Sequence, residues 1–369
     1  MVVKYRILHM IGSLSVGGSQ AFVMNLYRNI DRNKIQFDFI VDSSDDNFFE
    51  DEIVKLGGKI FYFPKFNGLN YFEIRHVWKD FFVTHPEYKV IHSHVRSYAS
   101  LYLPIANSYG LTTIIHSHST SNGKGFMALC KKILQFPLRF QADYYMACSL
   151  EAGEWLFGKR ICKSTKFSII KNAIDVDNFK FNLECRKHTR IELNLKKEFV
   201  LGYLARVTEA KNPFFVIRVF NEIHKMNQNT KLLFVGDGDL LAAIKKEVIN
   251  LKIEDSVIFT GTRTDVSELM SAMDYYILPS FWEGLGISLI EAQASGLHCI
   301  CSEGIPDEAI ITNLVQKYSL NLKPKIWADT ILDQIDLARK DESESVKNAG
   351  YDIKRNSRSL VMFYVSCFE

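Results

Sequence analysis

Short β-rich apolar runs alternate with longer helical patterns along this chain, and the alternation runs through twice. Arg6–Met10, Phe37–Val41, Lys59–Phe63, Val90–His92 and Thr113–His116 each precede a helical stretch or a loop. The pattern restarts at Phe199–Leu204 and continues through Leu232–Val235, Val257–Thr260, Tyr275–Leu278 and Cys299–Ser302. Strands separated by helices imply a parallel sheet, so the chain reads as two α/β domains, each a Rossmann-like, doubly wound sheet. A length of 369 residues fits two hydrophobic cores better than one. The domains are placed at residues 1–178 and 199–350. Residues 179–198 are polar and charge-rich with no strand of their own, and they read as a linker with a short helix.

Composition excludes several classes. Hydrophobic residues make up 47% and charged residues 24%, as in soluble globular proteins. No apolar run approaches the roughly 18 residues that a membrane span needs, and Tyr5–Gly12 reads as a strand rather than a signal peptide, so a cytoplasmic protein is expected. The seven cysteines run from Cys130 to Cys367, and only Cys299 and Cys301 lie close together. Neither a zinc site nor a disulfide framework fits that spacing, and reduced cysteines are expected. Residues 1–170 carry 20 Lys and Arg against 14 Asp and Glu, whereas the remainder carries 25 against 28. The basic first half suits phosphates or anionic lipid and is too weakly charged for nucleic acid.

Four segments carry chemistry. The first strand runs into Gly12-Ser13-Leu14-Ser15-Val16-Gly17-Gly18-Ser19-Gln20, ahead of the amphipathic stretch Ala21–Arg28. Gly17 and Gly18 at a helix start let backbone approach a ligand, and their amides suit an anion or a polar acceptor group; a plain turn is the competing reading. The strongest signal is Pro279-Ser280-Phe281-Trp282-Glu283-Gly284-Leu285-Gly286-Ile287-Ser288-Leu289-Ile290-Glu291, in which two glutamates stand eight residues apart. With a helix opening at Gly286 or Ile287, Glu283 stays in the loop and Glu291 lies one turn inside. The amides of Gly284, Leu285, Gly286, Ile287 and Ser288 then suit a diphosphate, Glu283 the sugar, and Glu291 a ribose diol. A solvated loop glutamate followed by a helical one is the bland alternative. After the strand at 201–204, Arg206 and Lys211 share one loop ahead of Pro213, where two cations could neutralise a departing diphosphate without metal. Finally, His92-Ser93-His94 and His116-Ser117-His118 end two strands of the first domain. One histidine of each pair is expected to pack inward. No carboxylate stands nearby, so no metal is assigned, and His118, followed by Ser119, Thr120 and Gly123, is the site candidate.

In this order the segments resemble the group 1 glycosyltransferases, family 4 of the sugar-transferase classification, over nearly the whole chain. The resemblance is carried by His9–Gln20, Lys171-Asn172-Ala173-Ile174-Asp175 with Phe179, Gly202–Asn212, Val235-Gly236-Asp237-Gly238, Phe259-Thr260-Gly261 and Glu283–Glu291. It looks especially like enzymes of capsule and exopolysaccharide assembly, which share the Gly-Gly-Ser-Gln start and the run Glu291–Gly296. Ala173 departs from the family's usual glycine, a matter of local turn geometry.

The resemblance implies the GT-B architecture, with a nucleotide-sugar donor in the second domain, acceptor binding in the first, and a last helix, residues 351–369, crossing back to the first domain. It puts Arg206 and Lys211 on the diphosphate, Glu291 on the ribose, and Glu283 and His118 at the transferred sugar, with Gly17 and Gly18 closing over phosphates and acceptor. A retaining, metal-independent transfer from a UDP-sugar to a glycan or polyprenyl-linked acceptor is the implied reaction, without a cofactor. A nucleotide-sugar 2-epimerase and a catalytically silent sugar-nucleotide-binding scaffold are the alternatives. An oxidoreductase ranks below both, because the dinucleotide fingerprint is missing after both first strands. Residues 126–140 interleave Lys131, Lys132 and Arg139 with Phe126, Leu129, Ile133, Leu134 and Phe136. That pattern suits reversible contact with an anionic membrane at its cytoplasmic face, and suits equally a core helix with a solvated basic edge.

Overall fold

The computed structural model describes residues 5–15, 17–43, 47–119 and 126–369, with side chains omitted at 126–128. Thr120 and Gly123 lie outside the described residues. The chain divides into two compact units, residues 1–173 with 353–369, and residues 174–352.

The first unit holds a seven-stranded sheet. Its strands are β1 (Tyr5–Gly12), β2 (Ile35–Val41), β3 (Ile60–Tyr62), β4 (Val90–Ser93), β5 (Thr112–Ser117), β6 (Tyr144–Ala147) and β7 (Phe167–Ile169), in the order β3-β2-β1-β4-β5-β6-β7. Every pairing is parallel. Such a sheet needs cover on both faces. One face packs Phe22, Leu26 and Tyr27 of the helix Gly18–Asn29 with Leu360 and Tyr364 of the helix Ile353–Ser366. The other packs Trp78 and Phe81 with Tyr102 and Leu138.

The second unit repeats the arrangement with β8 (Phe199–Leu204), β9 (Thr230–Val235), β10 (Val257–Gly261), β11 (Tyr275–Leu278), β12 (His298–Ser302) and β13 (Val315–Tyr318), in the order β10-β9-β8-β11-β12-β13, again all parallel. Val216, Phe220 and Trp327 cover one face, and Leu269, Leu289 and Ile290 the other. In both sheets the strand order reverses beside the first strand, between β1 and β4 and between β8 and β11. Ligands of open α/β sheets bind at the carboxyl ends of strands at such a switch point.

Two features differ from the sequence reading. The chain leaves the first unit at Ala173, and residues 179–198 are not a free linker but part of the second unit. Their helix Leu183–Glu192 is held by arginines. Arg186 donates to the carbonyls of Ser271, Ala272 and Met273 at 2.8–3.1 Å and pairs with Asp274 at 2.5 Å. Arg190 donates to Ala272 at 2.9 Å and to Glu198 at 2.6 Å. Cations at the carbonyl end of the helix Val266–Ala272 satisfy its orphan acceptors, which explains the charge density that resembled a linker. The second difference is three further strands, β6, β7 and β13.

Candidate active site

At the head of the second sheet, Gly286 takes the left-handed conformation at φ +84° immediately before the helix Ile287–Ala294. That turn sets Glu283 in the loop and Glu291 one turn into the helix. Glu283 is fixed from two sides: the Lys211 ammonium donates to one carboxylate oxygen and the Ser280 hydroxyl to the other, the latter at 2.8 Å. Backbone also locks the loops together, since Phe281 N–H donates to the Ala210 carbonyl at 2.8 Å and Glu283 N–H to Gly304 at 3.1 Å. Lys211 ends a short turn closed by Asn212 in left-handed conformation, with Pro213 opening the next helix. Two residues assigned to different parts of a donor are therefore one ion pair, with Glu283 largely buried and Lys211 less so.

Arg206 stands apart from that pair. Its side chain is exposed and makes no hydrogen bond or ion pair among the described residues. It lines a polar cavity of about 610 Å³ with Thr208, Asp237, Gly238, Asp239 and Thr262. Backbone packs closely at the cavity's lining glycine: a Cβ on Gly238, at φ +154°, would come within 2.6 Å of the Val207 carbonyl oxygen. Around Gly284 a Cβ would meet nothing within 4 Å, so the loop from Gly284 to Leu285 borders open space. Ser288 and Ile287 are part-buried at the helix start. Glu291 makes no side-chain hydrogen bond or ion pair among the described residues, and burial pushes its carboxyl up to about 7.

In the first unit the loop after β1 is tied by hydroxyls and an amide. Ser13 and Ser15 hydroxyls lie 2.9 Å apart, Gln20 donates to Ser13 at 3.2 Å, and Ser19 donates to Gln20 at 2.9 Å. Gly17 caps the helix and Gly18 begins it, exposed and with open space about its Cα. Beside them lies a cavity of about 790 Å³, lined among others by Gly12, Asp42, Lys65, Tyr98, Lys131 and Leu134. Tyr98 donates its phenol to Asp42, and burial raises the Asp42 carboxyl above its ordinary value against that hydrogen bond. Sequence reasoning missed Asp42 and Tyr98, because 56 residues separate the two partners and only the fold joins them.

The histidines do not divide as expected. Residues two apart on a strand share a face, so both rings of each pair point the same way; His92, His94 and His116 are all buried and His118 is partly so. His9, which stands opposite His92 in the β1–β4 register, joins them. Two chains of rings result. His9 Nδ1 lies 3.1 Å from His94 Nε2, and His94 Nδ1 lies 2.7 Å from His118 Nε2. Tyr364 Oη lies 2.5 Å from His92 Nδ1, and His92 Nε2 lies 3.2 Å from His116 Nδ1. Burial drives all five imidazoles toward the neutral form, His118 down to about 3 with help from the Arg96 charge. His118 is thus a neutral group at physiological pH, packed on Phe22 at 5.0 Å between ring centres.

The membrane candidate is resolved in part. In the helix Phe126–Gln135 and the turn Phe136–Phe140, Leu129, Ile133, Phe136 and Phe140 are exposed, and the Arg139 guanidinium sits over the Phe136 ring. Among the described residues no helix is long and apolar enough to cross a membrane.

Comparison with known proteins adds the rest. Residues 16–178 match the family model for glycosyltransferase family 4, and residues 186–355 match that for glycosyl transferases group 1. A Bacillus subtilis protein named as a glycosyltransferase, EpsF, is 29% identical over 97% of this chain and 96% of its own. The Escherichia coli UDP-Gal:α-D-GlcNAc-diphosphoundecaprenol α-1,3-galactosyltransferase is 24% identical over 64% of this chain and 63% of its own. Among solved structures, Anabaena HepE in complex with UDP shares the two-sheet GT-B fold at a TM-score of 0.77 and 15% identity, over 98% of this chain and all of that one.

Proposed function

Because this chain belongs to the group 1 glycosyltransferases, we propose that it moves a hexose, with retention and without a metal ion, from a UDP-sugar to a polyprenyl-linked or glycan acceptor in cell-surface polysaccharide synthesis. The observation that carries the reading is the Lys211–Glu283 pair braced by Ser280 at the switch point of the second sheet. Breaking the bond from the sugar C1 to the diphosphate oxygen puts negative charge on the phosphate and positive character on the sugar ring. Lys211 and the unpaired Arg206 meet the first, and Glu283 the second. Glu291 takes the ribose hydroxyls, and the helix-start amides from Gly284 to Ser288 take the phosphates. The acceptor oxygen forms its bond to C1 on the face the diphosphate leaves, and its proton passes to a departing phosphate oxygen.

The acceptor side of the reading rests on the 790 Å³ cavity of the first unit. Lys65 and Lys131 suit the diphosphate of a lipid-linked acceptor, and Asp42 with Tyr98 suits a sugar hydroxyl. A second cavity of this size favours transfer over epimerisation of the donor alone. The E. coli relative's acceptor, by its name, is a sugar on diphosphoundecaprenol. We infer that the exposed apolar face at 129–140, with Lys131, Lys132 and Arg139, docks on an anionic lipid surface where such an acceptor is held. Incubating the protein with UDP-sugars and a polyprenyl-diphosphate sugar, with EDTA present, tests the reading. A new α-linked product is expected; release of free epimer without acceptor, or activity restored only by added magnesium or manganese, overturns it.

A further inference from the structure

The five-imidazole cluster of the first unit exceeds what sugar transfer requires. The family resemblance puts only His118 at the transferred sugar, yet four more rings are gathered behind it at 0–7% exposure. Burying imidazoles together is costly when their nitrogens lack partners, and two do: His9 Nε2 and His116 Nε2 have no hydrogen-bond partner among the described residues. Each closes the inner end of one ring chain. Stacking among the rings, with centres 4.1 Å apart at His116–His118 and 4.4 Å at His92–His94, does nothing for those lone positions.

We propose that His94, His116 and His118 form a binding site for a divalent transition cation of the zinc class. One ring nitrogen from each of the three lies within 4.8 Å of the other two. Tetrahedral zinc with Zn–N bonds of about 2.0–2.1 Å places its nitrogens about 3.3 Å apart, so the site needs only small side-chain adjustment. His94 Nδ1 and His118 Nε2, now 2.7 Å apart, would open around the ion. His116 would offer the nitrogen that has no partner.

The outer rings fit the same assignment. A histidine that ligates through one nitrogen donates the N–H of the other to a fixed acceptor. With His94 ligating through Nδ1, its Nε2–H points at His9 Nδ1, 3.1 Å away. With His116 ligating through Nε2, its Nδ1–H points at His92 Nε2, whose own Nδ1–H reaches the Tyr364 oxygen. One tautomer per ring thus satisfies every contact between the rings and that to Tyr364, and leaves His9 Nε2–H as the one buried nitrogen of the five rings without a partner among the described residues. Nitrogen-only ligation selects zinc, cobalt, nickel or copper over magnesium and calcium. His118, the one partly exposed ring, gives the ion a way in and leaves a fourth position for water.

The test needs no transferase assay, so it stands or falls apart from the proposed reaction. Tag-free full-length protein stripped with EDTA is titrated with Co²⁺, followed by its d–d absorption and by metal analysis after gel filtration. The expected result is one bound Co²⁺ per chain with the intense bands of tetrahedral coordination, displaced by Zn²⁺ and unaffected by excess Mg²⁺. His116→Asn should abolish the bands, and His92→Gln should weaken binding roughly 10–100-fold by freeing the His116 ring to rotate. Absence of saturable binding to the wild-type protein, or weak octahedral bands, overturns the proposal whether or not the variants fold. Bands that persist in folded His116→Asn overturn it as well.

Discussion

The two units carry contrasting electrostatics at corresponding points of the same sheet design. At the switch point of the second sheet, charge is kept: Lys211 and Glu283 are paired, and Arg206 is exposed and unpaired among the described residues. At the switch point of the first, burial drives the imidazoles toward the neutral form and raises the Asp42 carboxyl, and the fixed cations of the neighbouring cavity are Lys65 and Lys131. A site that must neutralise a departing diphosphate needs fixed charges in a dry setting, whereas one that positions a neutral sugar hydroxyl needs hydrogen-bond donors and acceptors that stay neutral. A shared strand order therefore says little about chemistry; the side chains at the strand ends carry it.

The largest test of this contrast removes the charges. Lys211→Ala, Arg206→Ala and Glu283→Ala should each lower kcat by about 100- to 1,000-fold, because each contact strengthens as the bond breaks. Near-normal turnover in folded Lys211→Ala protein would mean that the ion pair is structural only.

Next in size is a stability effect at Glu291, a carboxyl of the second unit that burial raises as it raises Asp42 of the first. Glu291 titrates at about 7 in the folded chain against an ordinary 4.5, so the native state holds its proton more tightly than the unfolded one. The stabilisation is full below pH 4.5 and disappears as pH rises through 7. Glu291→Gln cannot ionise, and it should match wild type at pH 4 and exceed it by about 2–3 kcal/mol at pH 8 without ligand. Urea unfolding at the two pH values measures this, and equal stability at pH 8 would show that Glu291 is already compensated.

A smaller change is expected from the first unit. Asp42→Asn keeps the shape and loses the carboxylate, and it should raise the acceptor KM about tenfold, roughly 1.4 kcal/mol, while leaving the donor KM alone. A shifted donor KM would blur the division between the two sites. Smallest is Lys131→Gln, which should reduce binding to vesicles containing anionic lipid about fivefold, at about 1 kcal/mol per lysine, with no change on neutral vesicles. Equal flotation with both lipids would assign the apolar face at 129–140 to another partner.

The strands adjoining both switch points were legible in the sequence, because buried parallel strands are written as apolar runs: Phe199–Leu204 is read to the residue. β6, β7 and β13 were not. β7 and β13 are short edge strands whose part-exposed, mixed residues, Phe-Ser-Ile and Val-Gln-Lys-Tyr, lack that signature. Loop placement followed from Gly286 and Pro213, whose backbone preferences are local. Partnerships were hidden wherever they depend on register. Nothing in one sequence says that His9 stands opposite His92, or that Lys211 reaches a glutamate 72 residues on. The same blindness turned Arg186 and Arg190 into a linker, since the helix-end carbonyls they cap lie more than 80 residues away.

The return of the chain to its first sheet also sets an order of manufacture. Residues 174–352 are continuous, but the first core is closed by Ile353, Leu360, Val361 and Tyr364, which leave the ribosome after the whole second unit. A nascent chain halted before residue 353 would carry a complete second sheet and a first sheet without its last covering helix, with Phe37 and the His92 ring deprived of Tyr364. The half synthesised first is thus the last to finish folding, and until then it presents the kind of apolar surface that chaperones bind.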